Sequence, residues 1–142
     1  MLHIVEAGYD NWQFINGNQG DFGEMLCMPS WEEIANLISA LDGDQRTRVT
    51  FGNESEGFYM CIAGGADNRY IVYLSFDEEE VLYDLLNPEA ENAENMVRLV
   101  TGGQEGLYPA NSCVTYQMAM DAAEYFYHYQ EPIPQLTWEK QN

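Results

Sequence analysis

The sequence predicts an α+β fold: one domain spanning residues 1–142, in which an antiparallel β-sheet is packed by two main helices at about residues 30–41 and 116–130. Three observations lead there. After Thr115, Gln117, Asp121, Glu124, His128 and Glu131 fall at helical spacing on one narrow polar stripe, while Ala119, Ala122, Ala123, Phe126 and several tyrosines cover the rest. Runs of β-branched and aromatic residues are grouped between two helical segments, which suits an antiparallel sheet better than alternating βαβ units. A chain of 142 residues with 46% hydrophobic side chains is long enough to build one core, removing about two thirds of its unfolded surface from water.

In chain order, Leu2 to Val5 reads as a short first strand. Gly8 to Gly23, rich in Asn, Gly and Gln, reads as a loop pinned by Tyr9, Trp12, Phe14 and Phe22. Ser30 opens the first helix, with Glu33 three residues later completing a capping box. Trp31, Ile34, Ala35, Leu37, Ile38 and Leu41 form its apolar face, and Asp42-Gly43-Asp44 ends it. Those three residues resemble the start of a calcium loop, but Gln45, Arg46 and the missing glycine spacing reject that reading. Arg48 to Phe51, Phe58 to Ala63 and Arg69 to Phe76 read as strands, with the turn Gly64 to Asn68 joining the second to the third as a hairpin. Glu80 to Leu86 continues the sheet with Val81, Tyr83 and Leu85 on one face, and Met96 to Val100 adds a further strand ended by Gly102 and Gly103. A short piece near Leu107 or Cys113 completes it. The last helix takes Thr115 as N-cap and stops before Pro132 and Pro134, its small Ala119, Ala122 and Ala123 allowing close approach to the sheet.

Composition excludes more functions than it suggests. Lys and Arg number 5 against 24 Asp and Glu, a formal charge of −19, which opposes long-range attraction to nucleic acid or to anionic membrane and favours a basic partner. Cys27, Cys61 and Cys113 are widely spaced, with no CxxC pair and no adjacent His, and read as buried free thiols rather than metal ligands or a redox couple. The N-terminal MLHIVEAGYDNW has no basic leader, and no apolar run approaches the ~18 residues of a bilayer span, so a cytoplasmic location is expected. His3 and His128 read as solvent-facing or structural, and no nucleophile elbow, Walker loop or HExxH spacing occurs. The expectation is therefore no catalytic residue, no metal site and no cofactor.

One segment stands out by charge. Asp77, Glu78, Glu79, Glu80, Asp84, Glu89, Glu91 and Glu94 lie in a stretch without Lys or Arg, interleaved with Leu82, Tyr83 and Leu86. Carboxylates held on a sheet and mixed with apolar anchors mimic the charge of nucleic acid and suit the basic groove of a nucleic-acid-acting protein.

The C-terminal half adds a resemblance. A Gly-Gly turn, Val114, Gln117-Met118, Ala122-Ala123, Phe126, Pro134 and Leu136-Thr137-Trp138 form a pattern that resembles the immunity proteins of bacterial polymorphic toxins. Within that group it is most similar to those directed against double-stranded-DNA cytosine deaminase toxins, over roughly Tyr70 to Trp138. The resemblance implies a small non-catalytic α+β protein that binds its cognate toxin and occludes the active site. Combined with the acidic run, it makes Asp77, Glu78, Glu79, Glu80, Tyr83 and Asp84 the expected toxin-binding residues, with Tyr83 as anchor. The expected partner is a basic nucleic-acid-modifying toxin domain, with no direct contact to nucleic acid or membrane. The alternative reading is an acidic adaptor or regulatory domain for a basic host protein, and an enzyme ranks third.

Overall fold

In the computed structural model, which describes residues 3–90 and 95–141, the chain folds around a seven-stranded sheet. Strands β1 (Glu6–Tyr9), β2 (Trp12–Ile15), β3 (Asn18–Asp21) and β4 (Met25–Cys27) precede helix α1 (Trp31–Ser39). Strands β5 (Arg48–Asn53), β6 (Phe58–Gly64), β7 (Tyr70–Phe76), β8 (Val81–Leu86), β9 (Met96–Thr101) and β10 (Gln104–Pro109) follow, then helix α2 (Tyr116–Tyr129) and β11 (Thr137–Gln141). The main sheet runs β11-β8-β7-β6-β5-β1-β4, every pair antiparallel; β2–β3 and β9–β10 are separate two-stranded ribbons. The α+β expectation holds.

Both helices pack on one face of this sheet, and period-two alternation decides which side chains meet them. Ala7, Val49, Phe51, Met60, Ile62, Val72, Leu74 and Leu85 are buried in one cluster with Ile34 and Ile38 of α1 and Ala119, Ala122, Ala123 and Phe126 of α2. Phe126 is the centre of that cluster. Its ring lies 5.6 Å from Phe51, 6.0 Å from Phe58 and 6.3 Å from Phe76, each in an edge-on arrangement, the geometry that aromatic quadrupoles favour. The alanines of α2 are fully covered, so the small side chains do bring helix and sheet together.

The capping signals are realised as read. Ser30 accepts from the Glu33 N–H at 3.1 Å while the Glu33 carboxylate accepts from the Ser30 N–H at 2.9 Å. Thr115 accepts from the Met118 N–H at 3.2 Å. Helix α2 ends on Gln130 in the left-handed region (φ 52), whose amide donates to the Phe126 and Tyr127 carbonyls left over at the C-terminus. Helix α1 ends two residues earlier than expected, with Ala40 as its C-cap. The Asp42 carboxylate then accepts the N–H groups of Asp44, Gln45 and Arg46, turning the chain toward β5.

The N-terminal reading needs correction. Of the expected strand Leu2 to Val5, Leu2 lies outside the described residues, and His3 to Val5 precede the first strand, which begins at Glu6. The register explains the shift: Glu6, Ala7 and Gly8 pair with β4 and β5 at once, and this puts Ala7, not Val5, under the helices. Gly8 to Gly23 is no loop either. It holds the end of β1 and a hairpin in which Trp12↔Asp21 and Phe14↔Gln19 face each other across an Asn16-Gly17 turn with φ of 53° and 81°, the left-handed pair that Asn-Gly tolerates. Cys27 is exposed, unlike the buried Cys61 and Cys113. Leu107 does lie in a strand, but β10 pairs with β9 outside the main sheet, and Cys113 is in none. Strand β11, unanticipated, pairs with β8 from Thr137↔Leu86 to Gln141↔Leu82.

Candidate functional site

Because both helices cover one face of the sheet, its other face is open, and the same alternation decides what lies there. Gly8, Thr50, Gly52, Tyr59, Cys61 and Tyr73 form the floor. Two basins lie on it. The first, of about 570 Å³, is bounded by Glu6, Asp21, Met25, Glu54, Tyr59, Glu78 and Glu79. The second, of about 460 Å³, is bounded by Tyr73, Asp84, Tyr108, Glu139 and Gln141. Arg48, exposed on β5, borders both. The ribbons stand at the margins, β2–β3 contributing Asp21 to the first basin and β9–β10 contributing Thr101, Tyr108 and Pro109 to the second.

Asp10 ties these margins to the sheet. Its buried carboxylate accepts from the Thr47 N–H at 2.7 Å, the Arg48 N–H at 2.9 Å, the Trp12 indole at 2.8 Å and the Thr47 hydroxyl. Thr47 Oγ1 in turn accepts from the Gly103 N–H at 3.0 Å, in the turn between β9 and β10. A buried carboxylate with four donors is fully satisfied, so Asp10 fixes structure and leaves no acceptor for a ligand.

The acidic run is held on a tight turn between β7 and β8. Asp77, Glu78 and Glu79 all have left-handed backbone, with φ of 53°, 56° and 74°, a conformation that costs each non-glycine residue roughly 1 kcal/mol. The turn is clamped against the loop after β5: the Glu78 N–H donates to the Gly57 carbonyl at 3.1 Å, and the Tyr59 hydroxyl reaches Glu79 at 3.5 Å. Gly57, at φ 81°, is where an L side chain would be strained, and a Cβ there would also press tightly on the turn, 3.0 Å from the Glu78 nitrogen. Glu54 and Glu56 of that loop thereby join Asp77, Glu78, Glu79 and Glu80 in one exposed acidic corner.

The six expected binding residues thus divide. Glu78 and Glu79 bound the first basin, Asp77 and Glu80 are exposed beside them, and Asp84 lies in the second basin. Tyr83 is on the other side of β8 with Val81 and Leu85, partly buried, its ring 6.1 Å from Phe76. Glu89 is exposed farther along the chain, and Glu91 and Glu94 lie outside the described residues. Across the strand pair, Asp84 stands opposite Glu139 and accepts a hydrogen bond from Gln141. Burial first, and the Glu139 charge second, raise the Asp84 pKa, against the lowering effect of Gln141. Burial likewise pushes the Tyr73 hydroxyl and the Cys61 thiol up, so both are neutral parts of the floor. Sequence reasoning missed Glu6, Glu54, Tyr59, Tyr73 and Glu139; the period-two spacing of the four on strands was visible, but only the strand register shows which parity faces outward, and Glu54 lies in the turn after β5.

Among the described residues, no group of three or more His, Cys, Asp or Glu side chains is placed to hold a metal ion, and no helix is long and apolar enough to cross a membrane. Residues 23–140 match the family model described as Immunity protein Imm1. The chain belongs to the Imm1 immunity protein family. The Imm1 match reaches from just before β4 to β11 and so includes α1 and the whole main sheet except β1, well beyond the C-terminal half that carried the resemblance. No curated protein and no solved structure matches the chain. Imm1 membership makes this a toxin-neutralising immunity protein, whose partner is a cognate toxin. The β2–β3 hairpin, residues 12–21, lies outside the region shared with the Imm1 family.

Proposed function

We propose that the open sheet face is the toxin-binding surface, and that the toxin is a basic, nucleic-acid-modifying enzyme, a cytosine deaminase acting on DNA, whose active site this surface occludes. The observation that carries the proposal is the concave face rimmed by Glu6, Asp21, Glu54, Glu78, Glu79, Asp84 and Glu139, with Arg48 between its two basins. An enzyme that binds DNA carries a positively charged groove. A rigid acidic concavity complements such a surface, steers its approach and repels nucleic acid itself. Asp77, Glu78, Glu79, Glu80 and Asp84 are the proposed charge contacts, and Tyr59 the aromatic contact inside the first basin. Tyr83 supports them from behind by packing β8 on the core. The deaminase assignment rests on the resemblance of the segment from the Gly-Gly turn to Trp138.

Stoichiometric protection in a dilute cell calls for nanomolar affinity or tighter, about −12 kcal/mol. The test is rescue. The toxin gene is sought immediately upstream, as a large secreted protein with a small variable C-terminal domain. Co-expression of this chain is expected to restore growth to cells producing that domain and to suppress C-to-U conversion in their DNA. Failure of soluble chain to rescue would remove that toxin as the cognate partner and favour the alternative reading, an acidic adaptor for a basic host protein. Rescue from a toxin without deaminase activity would keep the immunity function and remove the deaminase.

A further inference from the structure

The β2–β3 hairpin carries a different kind of surface from the rest of the rim. Phe14 is 73% exposed and Ile15 46%, at the outer end of a ribbon whose base is fixed by Trp12 on Asp10. Residues paired across the ribbon share a face, so Phe14 lies on the same side as Gln19, Trp12 and Asp21, and Asp21 bounds the first basin. Phe14 thus shares a ribbon face with a residue that bounds that basin. Ile15, one residue on, faces the opposite side. Met25, 67% exposed on β4, bounds the same basin and is a further uncovered apolar side chain on this side of the sheet. Two large side chains at the tip of a projecting ribbon on a chain of charge −19 are costly to leave in water; their removal from it on binding stabilises a complex.

We infer that this hairpin is the arm by which the chain holds and discriminates its own toxin, Phe14 and Ile15 entering an apolar recess beside the basic surface that the acidic face covers. The inference rests on the reading of the open face as the toxin-binding surface. Two further observations support the toxin as occupant: the arm is continuous with that face through Asp21 and Met25, and it lies outside the residues matched to the family. A segment outside the shared framework but joined to the binding face suits recognition of one toxin among relatives. Acidic side chains accelerate encounter, whereas desolvated apolar anchors slow dissociation, so the two parts of the surface act on different rate constants.

The experiment measures association and dissociation rates with the toxin domain from the upstream gene, for the wild type, for Phe14→Ser with Ile15→Ser, and for an acidic-turn variant in which Glu78, Glu79 and Glu80 are replaced by Lys. The hairpin substitutions are exposed and are expected to leave Tm unchanged. The expected result is dissociation faster by about 10-fold or more, with association within about 2-fold of wild type. Unchanged dissociation of the double variant, from a toxin that the wild type holds and that the acidic-turn variant approaches slowly, overturns the arm while leaving the open face in place. Absence of any wild-type binding overturns the open face itself, and the arm with it. A concentration-dependent wild-type dimer in sedimentation, abolished by the two serines, reassigns the arm to self-association and also overturns it.

Discussion

At the scale of single residues, charge and packing make separate demands. Asp84 is half-buried opposite Glu139 with its pKa raised. A carboxyl whose folded value exceeds its unfolded value of 3.8 favours the fold most when protonated, below that unfolded value. That contribution is lost as pH rises through the higher folded value. Asp84→Asn is therefore expected to raise Tm at about pH 7 and to give little gain at about pH 3.5, read by thermal melts at the two conditions; equal gains at both would show that ionisation is not the cause. The same variant removes a charge proposed to face the toxin, so a gain in stability is expected to accompany weaker binding. On the core side, Ala123 is fully buried against the sheet, and Ala123→Leu is expected to lower stability by about 1–3 kcal/mol through overpacking. A denaturation midpoint equal to wild type would contradict the close helix–sheet contact.

Elements differ in how far the sequence announces them. The two helices were legible because their signals are local: Ser30 with Glu33, and Thr115 with an alanine-rich face, act over three or four residues. Strand β11 was not, since Thr-Trp-Glu-Lys-Gln is polar at most positions and becomes a strand by pairing with β8, some fifty residues earlier. Trp138 is the exception within it, packing on the core side as its apolar character requires. The β2–β3 hairpin had a local signal in Asn16-Gly17 after the apolar Phe14 and Ile15, but the polar Asn18 to Asp21 that follow, with the surrounding Gly and Asn content, read as loop. The acidic turn was legible as charge and not as shape, because nothing local reveals that Gly57 and Tyr59 hold it. Replacing Glu78, Glu79 and Glu80 together by Lys is expected to slow association with the toxin about 10-fold or more at low salt. Folding is expected to remain intact, because all three side chains are exposed. Association kinetics unaltered by that reversal would move the interface off this corner.

For the molecule as a whole, charge and fold are arranged in layers. Helices cover one face of the sheet, and the uncovered face collects carboxylates at its margins. The concentration of like charge is a cost to folding that the apolar layer has to offset. It also makes encounter sensitive to salt. Raising ionic strength from about 0.02 M to 0.5 M shortens the Debye length from roughly 20 Å to 4 Å, so association with a basic toxin is expected to slow at least about 10-fold while dissociation changes little. Salt-independent association would argue for an apolar docking surface instead. This arrangement could not be read from the sequence, because composition gives the total charge and only the strand register shows that Glu6, Asp84 and Glu139 share the uncovered face.

The order of strands in the sheet also bears on time. From β5 through β8, consecutive strands are neighbours, each joined to the next by a short turn, so residues 48–86 form a meander whose contacts are mostly local in sequence. Local contacts close small loops and form early. Strands β1 and β4 join one side of the meander and β11 the other, through longer closures. Substitutions that weaken the turn between β6 and β7 are expected to slow folding, and those in β11 mainly to hasten unfolding, as read from the two arms of a stopped-flow chevron; the opposite partition would place β11 in the nucleus. The acidic turn lies within the meander, so the corner proposed to meet the toxin is built from contacts that are close in sequence and is expected to order early in folding.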